Sequence, residues 1–132
     1  MSARVIINEP NALMRGVLRD ALEEHGFAVV AECAGPEDVL ATAGRVAADV
    51  LITNVLMRGP VADGYELTAR LREDHPQLAV FIVTAYPDSD HRERARSAGA
   101  RGFQSKNADL DSLIAGLTAV AAGGTWFGAE PS

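Results

Sequence analysis

The sequence predicts an α/β fold: a doubly wound, five-stranded parallel sheet with helices on both faces. Three observations lead there. Short apolar runs alternate five times with segments of helical periodicity, giving a (βα)5 pattern. The runs are nearly continuous rather than alternating apolar with polar, the pattern of strands buried on both faces. Turn and cap residues fall between the two kinds of segment, and right-handed crossovers then place helices on either side of the sheet.

The strands are expected at Arg4–Ile7, Ala28–Ala31, Val50–Thr53, Val80–Thr84 and Gly102–Phe103. Leu13, Val17, Leu18, Ala21 and Leu22 fall on one face of a first helix, and Gly26 stands where a C′ glycine belongs. Pro36 suits the first turn of a second helix carrying Val39, Leu40 and Ala43. Gly64 opens a third, with Leu67, Ala69 and Leu71 as its apolar side, and Pro76 stops it. Ala95 and Ala98 mark a fourth, closed by Gly99. Leu110, Leu113, Ile114, Leu117 and Ala121 define a fifth; Asn107 is the expected cap, with Asp109 and Asp111 in the first turn.

At 132 residues the chain is about one domain, and 48% hydrophobic residues supply ample core. No stretch approaches the roughly 18 apolar residues of a membrane span, and Val5–Ile7 is too short for a signal peptide's apolar region. A net charge of −6 argues against nucleic-acid binding by this domain. The single cysteine, Cys33, excludes an internal disulfide, reads as a small buried hydrophobe and suits the cytoplasm. His25, His75 and His91 have no metal-ligand spacing. The chain lacks a G-x-G-x-x-G turn, a Walker A lysine motif and a nucleophile elbow, so an α/β enzyme or nucleotide binder is disfavoured.

In doubly wound sheets function gathers at the carboxyl ends of the strands. Those ends carry Asn8-Glu9, Asn54, Thr84 and Lys106, with Glu32-Cys33 to one side. Lys106 is the only lysine beside eleven arginines, which suggests a position that wants a compact ammonium rather than a planar fork.

This set resembles the response-regulator receiver domain, the CheY-like phosphoacceptor module of bacterial two-component systems. The resemblance spans roughly residues 4 to 122. It rests on Asp49–Met57, Asp63–Leu67, Val80–Ala85 and Ala98–Lys106, taken together and in order. It implies a flavodoxin-like fold with strand order 2-1-3-4-5. It also implies an acidic pair and an aspartate that hold Mg²⁺, phosphorylation of that aspartate by a histidine kinase, and a surface on the fourth and fifth helices that binds a partner. By the resemblance, Lys106 matches the phosphate-pairing lysine, Thr84 the switch hydroxyl, Phe103 the switch aromatic and Glu9 the second acid. Plainer readings stay open: a polar turn at Asn8-Glu9, a strand-end threonine at Thr84, a core aromatic at Phe103, and a turn or cap residue at Asp63.

Three positions depart from the family pattern. Asn8 replaces the first acid, Asn54 replaces the phosphoacceptor aspartate, and the loop Met57–Gly64 is two residues longer, its proline displaced to Pro60. A carboxylate can form an acyl phosphate; a carboxamide, neutral and delocalised, is not expected to. Mg²⁺ usually takes one or two carboxylates, and here Asn8, Glu9 and Asn54 supply only one. Each lost charge costs on the order of 4 kcal/mol at about 4 Å and an effective dielectric of about 20, before desolvation is credited back. The expectation is therefore a pseudo-receiver, with no cofactor and Mg²⁺ bound weakly at best. Lys106 is expected to pair with Glu9 or with the amide oxygens of Asn8 or Asn54, locking the pocket in one state. The alternative is a conventional phosphorelay receiver in which Asn54 is an engineered substitution.

Residues 1–122 are expected to form the receiver and 123–132 a linker or tail. Gly123-Gly124 end the last helix, and Trp126-Phe127 are anchors that fold back or meet a partner. This end resembles the junction in NarL/FixJ (LuxR-type) regulators, where a helix-turn-helix domain follows. Either the chain is a piece cut at that linker or the module stands alone. The expected partners are another protein or a linked output domain, with a homodimer and a histidine kinase as further candidates. The charged run Asp88–Arg96 reads as a solvated face.

Overall fold

The computed structural model describes residues 2–54 and 64–128. Five strands, β1 (Arg4–Asn8), β2 (Ala28–Cys33), β3 (Val50–Thr53), β4 (Ala79–Thr84) and β5 (Gly102–Ser105), form one parallel sheet in the order β2-β1-β3-β4-β5. Five helices alternate with them: α1 (Ala12–Glu24), α2 (Pro36–Ala43), α3 (Gly64–Asp74), α4 (Ser89–Ala98) and α5 (Leu110–Ala121). This is the expected (βα)5 architecture. The long loop Met57–Gly64 and Asp63 fall, apart from Gly64, outside the described residues.

The apolar strands are explained by the two cores they serve. Ile6, Leu51, Val80 and Ile82 pack with Val39, Leu67, Leu71 and Phe103 on the α2–α4 side. Their neighbours Val5, Ile7, Val50, Ile52 and Phe81 point the other way, against Leu22, Leu117 and Val120 of α1 and α5. Successive strand side chains face opposite sides, so a strand covered on both must be apolar at every position.

Punctuation holds in most places. Gly26 has φ +89° just past α1, and Gly99 has φ +102° at the end of α4, where a side chain would be strained. Pro36 opens α2. The cap of α5 is Asp109, not Asn107: its carboxylate accepts from Ser112 N at 2.8 Å. A full charge facing the helix N-terminus serves better there than a neutral amide two residues earlier. Asn107 instead donates its backbone N–H to Ser105 Oγ in the preceding turn.

Two helix faces differ from expectation. On α3 the buried polar position is Thr68, whose hydroxyl donates to Gly64 O, while Ala69 faces outward. On α1 only Leu22 is fully buried; Leu18 and Ala21 are half-buried, and Leu13 and Val17 lie out in solvent. Trp126 and Phe127 fold back. Trp126 bridges Gly102 in parallel, its N–H donating to Arg101 O and its carbonyl accepting from Phe103 N, so the tail extends the sheet beyond β5.

Candidate functional site

Asn8, Glu9, Asn54, Thr84 and Lys106 come together at the carboxyl ends of β1, β3, β4 and β5, lining one cleft of about 410 Å³. The sheet register does this work. Asn8 lies beside Thr53 across the β1–β3 pair, and Thr84 beside Ser105 across β4–β5. Lys106 is tied to β4 by its own N–H, which donates to Thr84 O at 2.7 Å.

The floor of the cleft is a neutral network. Asn8 is buried, and its Nδ2 donates to Thr53 Oγ1 at 3.0 Å; Thr53 in turn donates to the Asn54 carbonyl at 3.2 Å. Asn54 Oδ1 is buried with no hydrogen-bond partner among the described residues. Thr53 was not singled out by sequence reasoning, since a threonine ending an apolar strand carries no signal until the register pairs it with Asn8.

Glu9 is held elsewhere. Its carboxylate accepts from Asn11 N at 2.9 Å, and its carbonyl accepts from Arg15 Nη1 at 2.6 Å, fixing the turn into α1. Asn11 then caps the helix, accepting from Met14 N. Among the described residues no ion pair joins Lys106 to Glu9, and Lys106 does not reach Asn54 Oδ1. The expected locking cluster is therefore not formed: the short α1 turn claims the carboxylate first, and the Lys106 ammonium stays out on the exposed rim.

The donor set also bears on Mg²⁺, which prefers an octahedron of hard oxygens including carboxylate. Here stand two carboxamides and a single carboxylate already engaged by a backbone N–H. That set does not fit the ion well. Cys33, to one side, is buried beside Thr42, and burial pushes its thiol up.

The β4–β5 side is built differently. Thr84 is buried, and its Oγ1 accepts from Tyr86 N at 2.9 Å. Phe103 is buried among Ile82, Val80 and Ala95, with the Arg92 guanidinium 5.9 Å from its ring centre. Arg92 also donates to Phe127 O at 3.2 Å and to Pro87 O at 3.2 Å, linking the tail, the β4–α4 loop and the Phe103 ring. Arg96 covers the Phe127 ring at 4.2 Å, and Trp126 Nε1 donates to Gln104 Oε1 at 2.8 Å. His91 joins Tyr65, whose hydroxyl is 2.6 Å from Nδ1, to Tyr86, stacked at 5.4 Å. This aromatic cluster was invisible in sequence because its members are far apart along the chain. The run Asp88–Arg96 is largely a solvated face as expected, although the guanidinium groups of Arg94 and Arg96 also lie over the rings of Tyr65 and Phe127.

The model of the response regulator receiver domain matches residues 5–118. The chain belongs to that family. Receivers are regulatory modules rather than enzymes. Among curated relatives this receiver is 31% identical over 127 residues to the virulence-factor transcription regulator BvgA of Bordetella pertussis, covering 96% of this chain and 60% of BvgA. The chain thus spans less than two thirds of that relative's length. Among solved structures it is similar to a LuxR-family two-component response regulator from an Aurantimonas species, at 26% identity and a TM-score of 0.89, covering 96% of this chain and 89% of that one. A CheY-like receiver from Methanospirillum hungatei shares the fold with a TM-score of 0.82 at 18% identity, covering 93% and 96%. Among the described residues no helix is long and apolar enough to cross a membrane.

Proposed function

We propose that this receiver is a pseudo-receiver: a cytoplasmic input module of a LuxR-type transcription regulator that signals by protein contact without phosphorylation. The observation that carries the reading is Asn54 at the acceptor position, reinforced by Asn8 at the first acid. A carboxamide offers no nucleophilic carboxylate for acyl phosphate formation. Mg²⁺ binds weakly at best, since Glu9, the one acid of the three, is engaged with the Asn11 N–H. The relatives extend well beyond the matched region, which supports a linked DNA-binding output domain as partner. The packed tail on the α4–β5 side is the natural route to it.

A second reading is a conventional phosphorelay receiver, phosphorylated by a histidine kinase, with Asn54 a substitution for aspartate. The presence of Thr84, Phe103 and Lys106 at their family positions favours it. Intact mass after incubation with Mg²⁺ and acetyl phosphate separates the two, on this chain and on Asn54→Asp side by side. The pseudo-receiver reading expects no adduct on either. An adduct on Asn54→Asp alone supports the conventional reading, and one on the chain as it stands overturns the role assigned to Asn54.

A further inference from the structure

We propose that the cleft between α1 and α5 is a binding site for a small amphipathic carboxylic acid, whose carboxylate meets Lys106 and whose apolar body lies along Val17, Leu18, Leu110 and Leu113. The proposal rests on the pseudo-receiver reading for its biological sense, supplying the input that phosphate would otherwise give. The site itself stands on geometry.

Three features converge on it. The cleft holds about 410 Å³, within the range of small-molecule sites, which are mostly apolar with a few placed polar groups. Its α1 and α5 walls are apolar, its polar end carries Asn8, Glu9, Asn54 and Thr84, and Lys106 stands exposed at the rim. Second, apolar exposure is concentrated on this rim. Met14, Val17 and Leu110, which line it, are 49%, 55% and 41% exposed; Leu13, Val30 and Tyr86 are the other exposed large hydrophobics among the described residues. A cluster of that kind marks a binding surface more than scattered single residues do.

Third, the site has an unmet need of defined chemistry. The Lys106 ammonium has no ion-pair partner among the described residues, while Glu9 is engaged elsewhere. A ligand with an anionic oxygen answers the lysine. An acidic pocket would repel such a ligand; here two carboxamides stand where two like charges would oppose it.

The test is an amide-resolved NMR titration with three probes: 3-hydroxydecanoate, decanol as the uncharged apolar control, and acetate as the headgroup alone. The site predicts saturable shifts at Val17, Leu18, Leu110 and Lys106 with 3-hydroxydecanoate, and none with acetate. Decanol binds about two- to fivefold more weakly, the share of a solvent-exposed ion pair. Lys106→Met abolishes that preference while still binding decanol. Val17→Glu, at an exposed position that leaves folding intact, abolishes binding of both. No saturable shift at the cleft, or shifts unchanged in Val17→Glu, overturns the proposal. So does a concentration-dependent dimer in sedimentation that buries the Val17 and Leu110 amides and excludes the probe, since a second copy is then the occupant. Acetyl phosphate mass measurements read the pseudo-receiver assignment separately: an adduct with intact probe binding removes that assignment and leaves the site.

Discussion

The two halves of the strand-end surface are built on different principles. On the β1–β3 side, the polar residues are neutral amides and hydroxyls bonded to one another, and the one acid serves a helix turn. On the β4–β5 side, Thr84, Phe103 and Arg92 are tied to the loop, the core and the tail in one connected set. The first half is a polar pocket with one carboxylate; the second is a packed set in which loop, core and tail hold one another. A receiver needs the first half to take up phosphate and the second to present a changed face. Nothing in packing requires the two to fail together.

The largest effect expected from breaking this contrast is on the metal. Asn8→Asp with Asn54→Asp places three carboxylates at the cleft in place of one. Mg²⁺ affinity, read by calorimetry, should rise on the order of tenfold or more over either single change, since each added charge at about 4 Å contributes several kcal/mol before desolvation at an effective dielectric of about 20. The emission of Trp126, the only tryptophan, should not move on these changes unless the halves communicate. An emission shift on Mg²⁺ addition to the double variant would show that they do.

The next effect lies in the second half. Gly102 sits against the Phe81 ring, where an added Cβ would overlap Cδ2. Gly102→Ala must displace β5 or Phe81, a core overpacking that costs about 1–3 kcal/mol in chemical denaturation. Gly116 meets Trp126 in the same way, at 2.7 Å from Cδ1. Gly116→Ala should push the indole off the sheet edge, red-shifting its emission at a smaller cost in stability, because a tail yields more easily than a core. An unshifted emission would mean that the tail is not seated through this contact.

Most of this architecture was legible beforehand, for reasons that are local. The inner strands β1, β3 and β4 are nearly continuous apolar runs because they serve two cores, and Gly26, Pro36 and Gly99 act through their own backbone geometry. The site positions were legible because strand ends converge whatever the loops do. What stayed hidden depends on neighbours. Leu13 and Val17 satisfy helical periodicity as well as Leu22 does, and only the placement of α5 decides which of them reach the core. Glu9 looks like a free acid until the α1 turn supplies the Asn11 N–H, and Asn107 looks like a cap until Asp109 is seen to hold the position.

The smallest expected effect comes from the opposite rim of the sheet and serves as the control for all the others. Arg4 and Asp49 join the amino ends of β1 and β3 through a paired contact, Nη2 to Oδ1 at 3.1 Å and backbone N to Oδ2 at 2.8 Å. The Arg4 hydrogen bonds hold the Asp49 carboxyl below its ordinary range. A carboxylate depressed in the folded state stabilises fully above its unfolded pKa of about 3.9, and loses that contribution as pH falls through the lower folded value. Asp49→Asn should therefore lower the melting temperature slightly at pH 7, and the difference should shrink as pH falls through the lowered folded value and Asp49 takes up its proton. The pair is exposed, so salt should shrink the difference. Because the change sits a full strand length from the cleft and the tail, probe binding and Trp126 emission should stay as they are. A variant at this rim that altered either would mean that the halves are coupled through the sheet itself, and the contrast between them would have to be drawn along the strands rather than across them.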